Sequence, residues 1–170
     1  LVTSHRRENF GQPIVNICNA VLELVEKHKD IYVLFPVHPN PNVREVTDRY
    51  LRGHERIQLV SPFDYGPFVT AMKSAYLILT DSGGVQEEAP ALGKPVLVLR
   101  RDTERPEAVT EGVVRLIGTE TVDIVREASQ LLSDRAAYDK MAIGASPYGD
   151  GKASKRIVEI VRNYFNNKPI

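Results

Sequence analysis

Apolar residues are spaced along this chain in two rhythms. The first is a set of short runs with little alternation: LVT (1–3), IYVLFPV (31–37), RIQLV (56–60), YLILT (76–80), PVLVL (95–99) and VVRLI (113–117). They are rich in Val, Ile and Leu, the pattern of parallel strands buried on both faces. The second rhythm is helical. Within 13–28, Ile14, Ile17, Cys18, Val21, Leu22 and Val25 fall at i, +3, +4, +7, +8 and +11, which makes one apolar stripe. Near the end of the chain, Ile157, Ile160, Val161, Tyr164 and Phe165 repeat that spacing. Segments 42–52, 66–74, 84–91, 121–133 and 135–142 also predict helices, and the polar tail NNKPI (166–170) predicts a frayed end. Strand and helix alternate throughout. That predicts a single α/β domain over residues 1–170, with a doubly wound parallel sheet of about six strands flanked by helices, Rossmann-like. No internal linker, repeat or low-complexity stretch interrupts it.

Composition narrows the function classes. The 170 residues are 42% apolar and 26% charged, with Lys+Arg and Asp+Glu both 22. A formal charge of zero gives no electrostatic reason to expect nucleic acid or a membrane surface as partner. No apolar run approaches 18 residues, so no membrane span is expected. The one cysteine, Cys18, excludes an internal disulfide and fits a reducing, cytoplasmic setting. His5, His28, His38 and His54 show no ligand-like spacing with cysteine or acids, so no metal site is expected. The opening LVTSHRREN starts inside a strand-like run without methionine, which reads as a piece of a longer chain.

In such a sheet, ligands bind beyond the carboxyl ends of the strands. Four loops there are unusual. SHRRENFG (4–11) puts His5, Arg6 and Arg7 at a strand end, where imidazole and guanidinium suit an anion, or where a solvated basic turn pairs with Glu8. VHPNPNVR (37–44) places His38 after the second strand, in a turn that prolines stiffen and Asn40 or Asn42 caps. DSGGVQEE (81–88) is a Ser-Gly-Gly turn into a helix. Free N–H groups and the helix dipole favour an anion there, and Gly83 and Gly84 permit close approach and unusual φ. Its two acids complement the helix dipole, or one of them holds a ribose by its two hydroxyls. Glu87 and Glu88 lie about 100° apart on a helix and cannot face one point, so Glu87 is read as a dipole partner or loop anchor. LRRDTERPEA (99–108) is a charge-dense loop, and SPYGDGKAS (146–154) offers Asp150 or Ser154 as a helix cap.

HRREN (5–9), HPNPNVR (38–44), DSGGVQEEAPALGKPVLVLR (81–100), TERPEAV (103–109) and PYGDGKAS (147–154) together resemble the non-hydrolysing UDP-N-acetylglucosamine 2-epimerases. The resemblance spans this chain and the carboxyl-terminal half of such a protein, one of two Rossmann-like domains in a GT-B architecture. It implies interconversion of UDP-N-acetylglucosamine and UDP-N-acetylmannosamine by loss of UDP and re-addition with inverted C2, without a cofactor, for surface polysaccharide. It implies Ser82, Gly83 and Gly84 on the diphosphate, Glu88 on the ribose, Phe68 by the uracil and Arg105 near the pocket. It implies His5 in catalysis or diphosphate contact, and Arg6, Arg7 and Glu8 at a second, activating UDP-sugar site; His38 is a further pocket candidate. The implied partners are UDP and a UDP-N-acetylhexosamine, a missing amino-terminal domain that carries the proton-transferring carboxylates, and a second subunit in a homodimer. Ser146 departs from the family's usual NPYGDG. A GT-B glycosyltransferase half, an epimerase of another UDP-2-acetamido sugar, and a nucleotide-binding regulatory module without chemistry of its own are the alternatives.

Overall fold

The computed structural model describes residues 1–166; positions 167–170 of the expected frayed tail lie outside the described residues. The order is β1 (Val2–Thr3), α1 (Gln12–Lys27), β2 (Val33–Pro36), α2 (Pro41–Leu51), β3 (Ile57–Val60), α3 (Tyr65–Ser74), β4 (Ile78–Thr80), α4 (Gly83–Ala91), β5 (Val96–Val98), α5 (Pro106–Thr110), β6 (Val114–Leu116), α6 (Thr121–Ser133), α7 (Arg135–Met141) and α8 (Ala153–Asn166). All six expected strands form among the described residues, each shorter than its apolar run, and every pairing is parallel.

Central strands β4 and β5 show why their sequences do not alternate. Leu79 and Leu97 join a core cluster with α1, α2 and α6 on one side. Ile78, Val96 and Val98 join a second cluster with α3, α4 and α5 on the other. Both faces are covered, so every position but Thr80 is apolar. In α1 the sequence stripe is the buried face, with Ile14, Ile17 and Cys18 wholly inaccessible. Pro13 sits in its first turn, where a missing N–H costs nothing. Asn40 caps α2 by accepting from the Asn42 N–H at 2.9 Å.

The expected single sheet is corrected. Strands β1-β4-β5-β6 make one hydrogen-bonded ladder and β2-β3 a second. Strand β1 lies against β2 without a ladder between them. The cause lies just after β1: the backbone N–H groups of His5 and Arg6 turn to the Asp81 carboxylate, so the strand ends after two residues. Across both ladders the spatial order is β3-β2-β1-β4-β5-β6, and it reverses direction between β1 and β4. A second correction is α5, inside a stretch read as loop. Pro106 opens it, a helix-start signal that the surrounding charges masked.

Candidate functional site

The reversal between β1 and β4 is the topological switch point of an open α/β sheet. Segments following β1, β2, β3 and β4 meet there around a cavity of about 240 Å³. His5, His38, Phe63, Phe68 and Ser82 contribute to its wall. A larger cavity, about 620 Å³, opens at the opposite, amino-terminal ends of the strands, bordered by Leu24, Ala75, Leu77 and Leu132. Size does not decide between them. The larger is walled mostly by aliphatic groups, whereas the smaller gathers two imidazoles, a hydroxyl and a helix start.

Asp81 organises the smaller site. It is fully buried, and a buried carboxylate persists only when it is well bonded. Its Oδ2 accepts from Ser4 Oγ at 2.9 Å, His5 N at 2.8 Å, Arg6 N at 2.9 Å and Asn9 Nδ2 at 2.9 Å. Asn9 Nδ2 also donates to the Leu99 carbonyl at 3.1 Å, which ties the loop after β1 to the end of β5. The other carboxylate oxygen, Oδ1, stands 3.2 Å from His5 Nδ1. The distance suits an ion pair, but the ring is off the hydrogen-bond line, and Oδ1 has no hydrogen-bond partner among the described residues. The His5 ring stacks on His38, centroids 5.7 Å apart and planes at 22°. His38 Nδ1 accepts from Asn40 N at 3.2 Å.

The Ser-Gly-Gly turn starts α4, with Ser82 at the N-cap in extended backbone. The Ser82 hydroxyl makes no capping bond. The expectation of unusual φ is corrected: neither Gly83 nor Gly84 has positive φ. Glycine at 83 leaves room for charged side-chain ends that a Cβ would press on. A Cβ there would lie 3.1 Å from Glu104 Oε1, 3.5 Å from Arg6 Nη2 and 3.8 Å from Arg105 Nη2. Three charged groups thus crowd one helix start. Buried Gln86 braces it: its Oε1 accepts from Thr103 Oγ1 at 2.6 Å and its Nε2 donates to the Ser82 carbonyl at 3.3 Å.

Ion pairs close the loop after β5 onto this turn. Arg6 reaches Glu104 at 3.3 Å, Arg100 reaches Glu104 at 2.7 Å, and Glu8 pairs with Arg100. Glu104 is held below the ordinary carboxylate value by its own backbone N–H, then by Arg100, with Arg6 adding charge. Burial pulls Arg100 down, but hydrogen bonds to Glu104 and Glu8 outweigh it and leave it raised. Arg105 pairs with Glu87, the loop-anchor role expected of that acid, and this bond raises Arg105. Arg7 is exposed. Glu88 folds over the first turn of α4, with Oε1 3.8 Å from a Cβ at Gly84, and contacts Tyr65; the hydrogen bond to Glu88, then its charge, raises the Tyr65 phenol.

The structure therefore brings His5, His38, Phe68 and Ser82 around one cavity, with Gly83, Arg6, Glu104 and Arg105 clustered at the adjoining helix start. Glu88, Gly84 and Arg105 do not line the cavity itself. Asp81, Asn9, Gln86 and Thr103 were not singled out from sequence for the roles they take here. Among the described residues no cluster of three potential metal ligands occurs, and no helix is long and apolar enough to cross a membrane.

Comparison with known proteins gives the family. Residues 1–162 match the family model described as UDP-N-acetylglucosamine 2-epimerase. The UDP-N-acetylglucosamine 2-epimerase of Escherichia coli (strain K12) is 53% identical over 163 residues, which is 96% of this chain and 43% of that protein. The crystal structure of UDP-GlcNAc 2-epimerase from Neisseria meningitidis bound to UDP-GlcNAc superposes with a TM-score of 0.93 at 49% identity, over 95% of this chain and 44% of that one. The Methanocaldococcus jannaschii enzyme in complex with UDP-GlcNAc and UDP gives a TM-score of 0.81 at 33% identity, over 95% of this chain and 44% of that one. The chain thus spans a little under half the length of the relatives it matches. Across that span, the chain belongs to the UDP-N-acetylglucosamine 2-epimerase family.

Proposed function

We propose that this chain is the UDP-binding, carboxyl-terminal domain of an enzyme that interconverts UDP-N-acetylglucosamine and UDP-N-acetylmannosamine. In this reading UDP leaves and returns with inversion at C2, and a second domain supplies the groups that move the C2 proton. The observation that carries it is the meeting of an imidazole, a hydroxyl and a glycine-opened helix start at the switch point of the sheet.

The diphosphate would lie at the start of α4, where the first backbone N–H groups have no helical partner and the dipole is positive. Gly83 admits it closely, and the unbonded Ser82 hydroxyl adds a donor. Arg6 and Arg105, already beside Gly83, supply charge there. Phe68 and Phe63 would flank the uracil. Glu88 would exchange Tyr65 for the two ribose hydroxyls, and His5 would face the departing diphosphate as an imidazolium. Arg6, Arg7 and Glu8 remain the proposed activator site, and the whole enzyme a homodimer.

Calorimetric titration with UDP and 2′-deoxy-UDP tests this. The chain should bind UDP more tightly than the deoxy ligand, which leaves a carboxylate oxygen unpaired. Glu88→Ala should weaken UDP binding by about 10- to 150-fold, the worth of a hydrogen bond to a charged group, and should lose the preference. Glu87→Ala should keep it. Should Glu88→Ala still discriminate the two ligands as the parent does, the ribose role is wrong. Measurable epimerisation by the 170-residue chain alone would show that no second domain is needed.

A further inference from the structure

We propose that Asp81 is a positioning residue for His5, holding its imidazole as the Nδ1–H tautomer so that Nε2 serves the cavity. The chemistry stands on the geometry of Asp81; its bearing on catalysis rests on the function proposed above.

The argument begins with an asymmetry. Asp81 is fully buried, and its Oδ2 already accepts four hydrogen bonds, enough to fix the loop after β1. Its Oδ1 accepts none of these and faces His5 Nδ1 at 3.2 Å. A lone pair on Nδ1 would sit 3.2 Å from an anionic oxygen that has no hydrogen-bond partner among the described residues. A proton on Nδ1 turns the same contact into attraction. Among the described residues no other group hydrogen-bonds Oδ1. His38, stacked on the ring at 5.7 Å, has its own Nδ1 committed to the Asn40 N–H; Arg6 pairs with Glu104 through Nη2, and its buried Nε makes no hydrogen bond to Oδ1.

Fixing Nδ1–H decides what the cavity sees. His5 helps to wall the cavity beside Ser82. With Nδ1 turned to Asp81, the nitrogen on the far side of the ring is Nε2. In the neutral ring it offers a lone pair; in the imidazolium it offers an N–H. The ring can then carry positive charge beside a departing diphosphate while a buried carboxylate orients it, the division of labour known from carboxylate–histidine pairs.

The test is the tautomer itself, read from long-range ¹H–¹⁵N correlations of His5 in the ¹⁵N-labelled chain without ligand, at a pH where the ring is neutral. The parent should show Nδ1–H in excess by about tenfold, the bias of a close charge attraction short of a full hydrogen bond. Asp81→Asn gives the sharper result. Its single amide oxygen has to take the four donors, which leaves its NH₂ facing Nδ1. The ring should then invert to Nε2–H by a similar factor. Ser4→Ala, which removes only an Oδ2 donor, should leave the tautomer unchanged. An Nε2–H ring in the parent overturns the proposal, as does a tautomer that Asp81→Asn fails to move. If Asp81→Asn does not fold, the parent spectrum alone decides. A separate UDP titration keeps the two readings apart: absence of UDP binding would overturn the proposed function and leave the tautomer result standing.

Discussion

Helices α1 and α8 carry nearly the same sequence signal and meet opposite fates. Each has an apolar stripe at helical spacing. In α1 the stripe is the floor of the larger core cluster, packed against the sheet, α2 and α6. In α8 no residue is buried; Ile157 is 59% exposed and Ile160 67%. Periodicity reports which face of a helix favours burial, not whether a partner is there to bury it. The difference is one of position in the chain. Helix α1 is tethered at both ends by strands of the sheet, whereas α8 follows the loop 142–152 beyond α7 and is anchored at its start by one aspartate.

The largest expected contrast is in chemical access. Cys18 lies on the buried stripe of α1, and burial pushes its thiol up to about 12. The thiolate is the reactive form, so labelling requires the helix to open. An opened state is populated at about 10⁻³ or less in a folded domain. A Cys18→Ala chain that also carries Val161→Cys, on the exposed stripe of α8, should therefore label at least about 10³-fold faster than the parent. Rates within tenfold of each other would mean that α1 frays as α8 does, and the comparison would fail.

Stability should divide the same way with a smaller signal. Ile17→Ala removes a fully buried side chain and should cost about 2–5 kcal/mol in urea unfolding, transfer and cavity together. Ile160→Ala, on the exposed face, should change stability by no more than about 0.5 kcal/mol. Equal losses would show that α8 is packed in solution.

The same distinction explains what was legible in the sequence. Strands β2 to β6 were visible because both faces of a parallel sheet demand continuous apolar runs. The break between β1 and β2 was not, since it depends on His5 and Arg6 turning to a carboxylate 75 or 76 residues away. The members of the site were legible as loop residues at strand ends, which topology alone brings together. Asp81 was read only as the end of a strand, because a lone Asp looks like a terminator until its four neighbours from the loop after β1 are in place. Gln86 and Asn9 were missed for the same reason. Helix α5 could have been found from Pro106 followed by Glu107, a helix-start pattern inside the charge-dense loop.

The smallest effect sharpens the comparison at its weakest joint, the start of α8. Asp150 Oδ1 accepts from Lys152 N at 3.0 Å, and its carboxylate pairs with Arg156 Nη2 at 2.6 Å. Arg156, then the Lys152 N–H, lowers Asp150 from its usual value of 3.8. A carboxyl lowered on folding contributes order that is fully present above its unfolded value and is lost as pH falls through its folded one. The ties at the start of α8 should thus be intact at pH 6 and should weaken only below about pH 3.8. The group is exposed, so the effect is local fraying and not global unfolding. Amide exchange of residues 153–159 should quicken only as pH falls below about 3.8, beyond the intrinsic pH dependence of exchange, while the centre of α1 stays protected. Asp150→Asn should exchange faster than the parent already at pH 6, after the same correction, and should change little with further acid. If Asp150→Asn leaves the start of α8 as protected as in the parent, the aspartate is not its anchor, and the helix is held by contacts along its length.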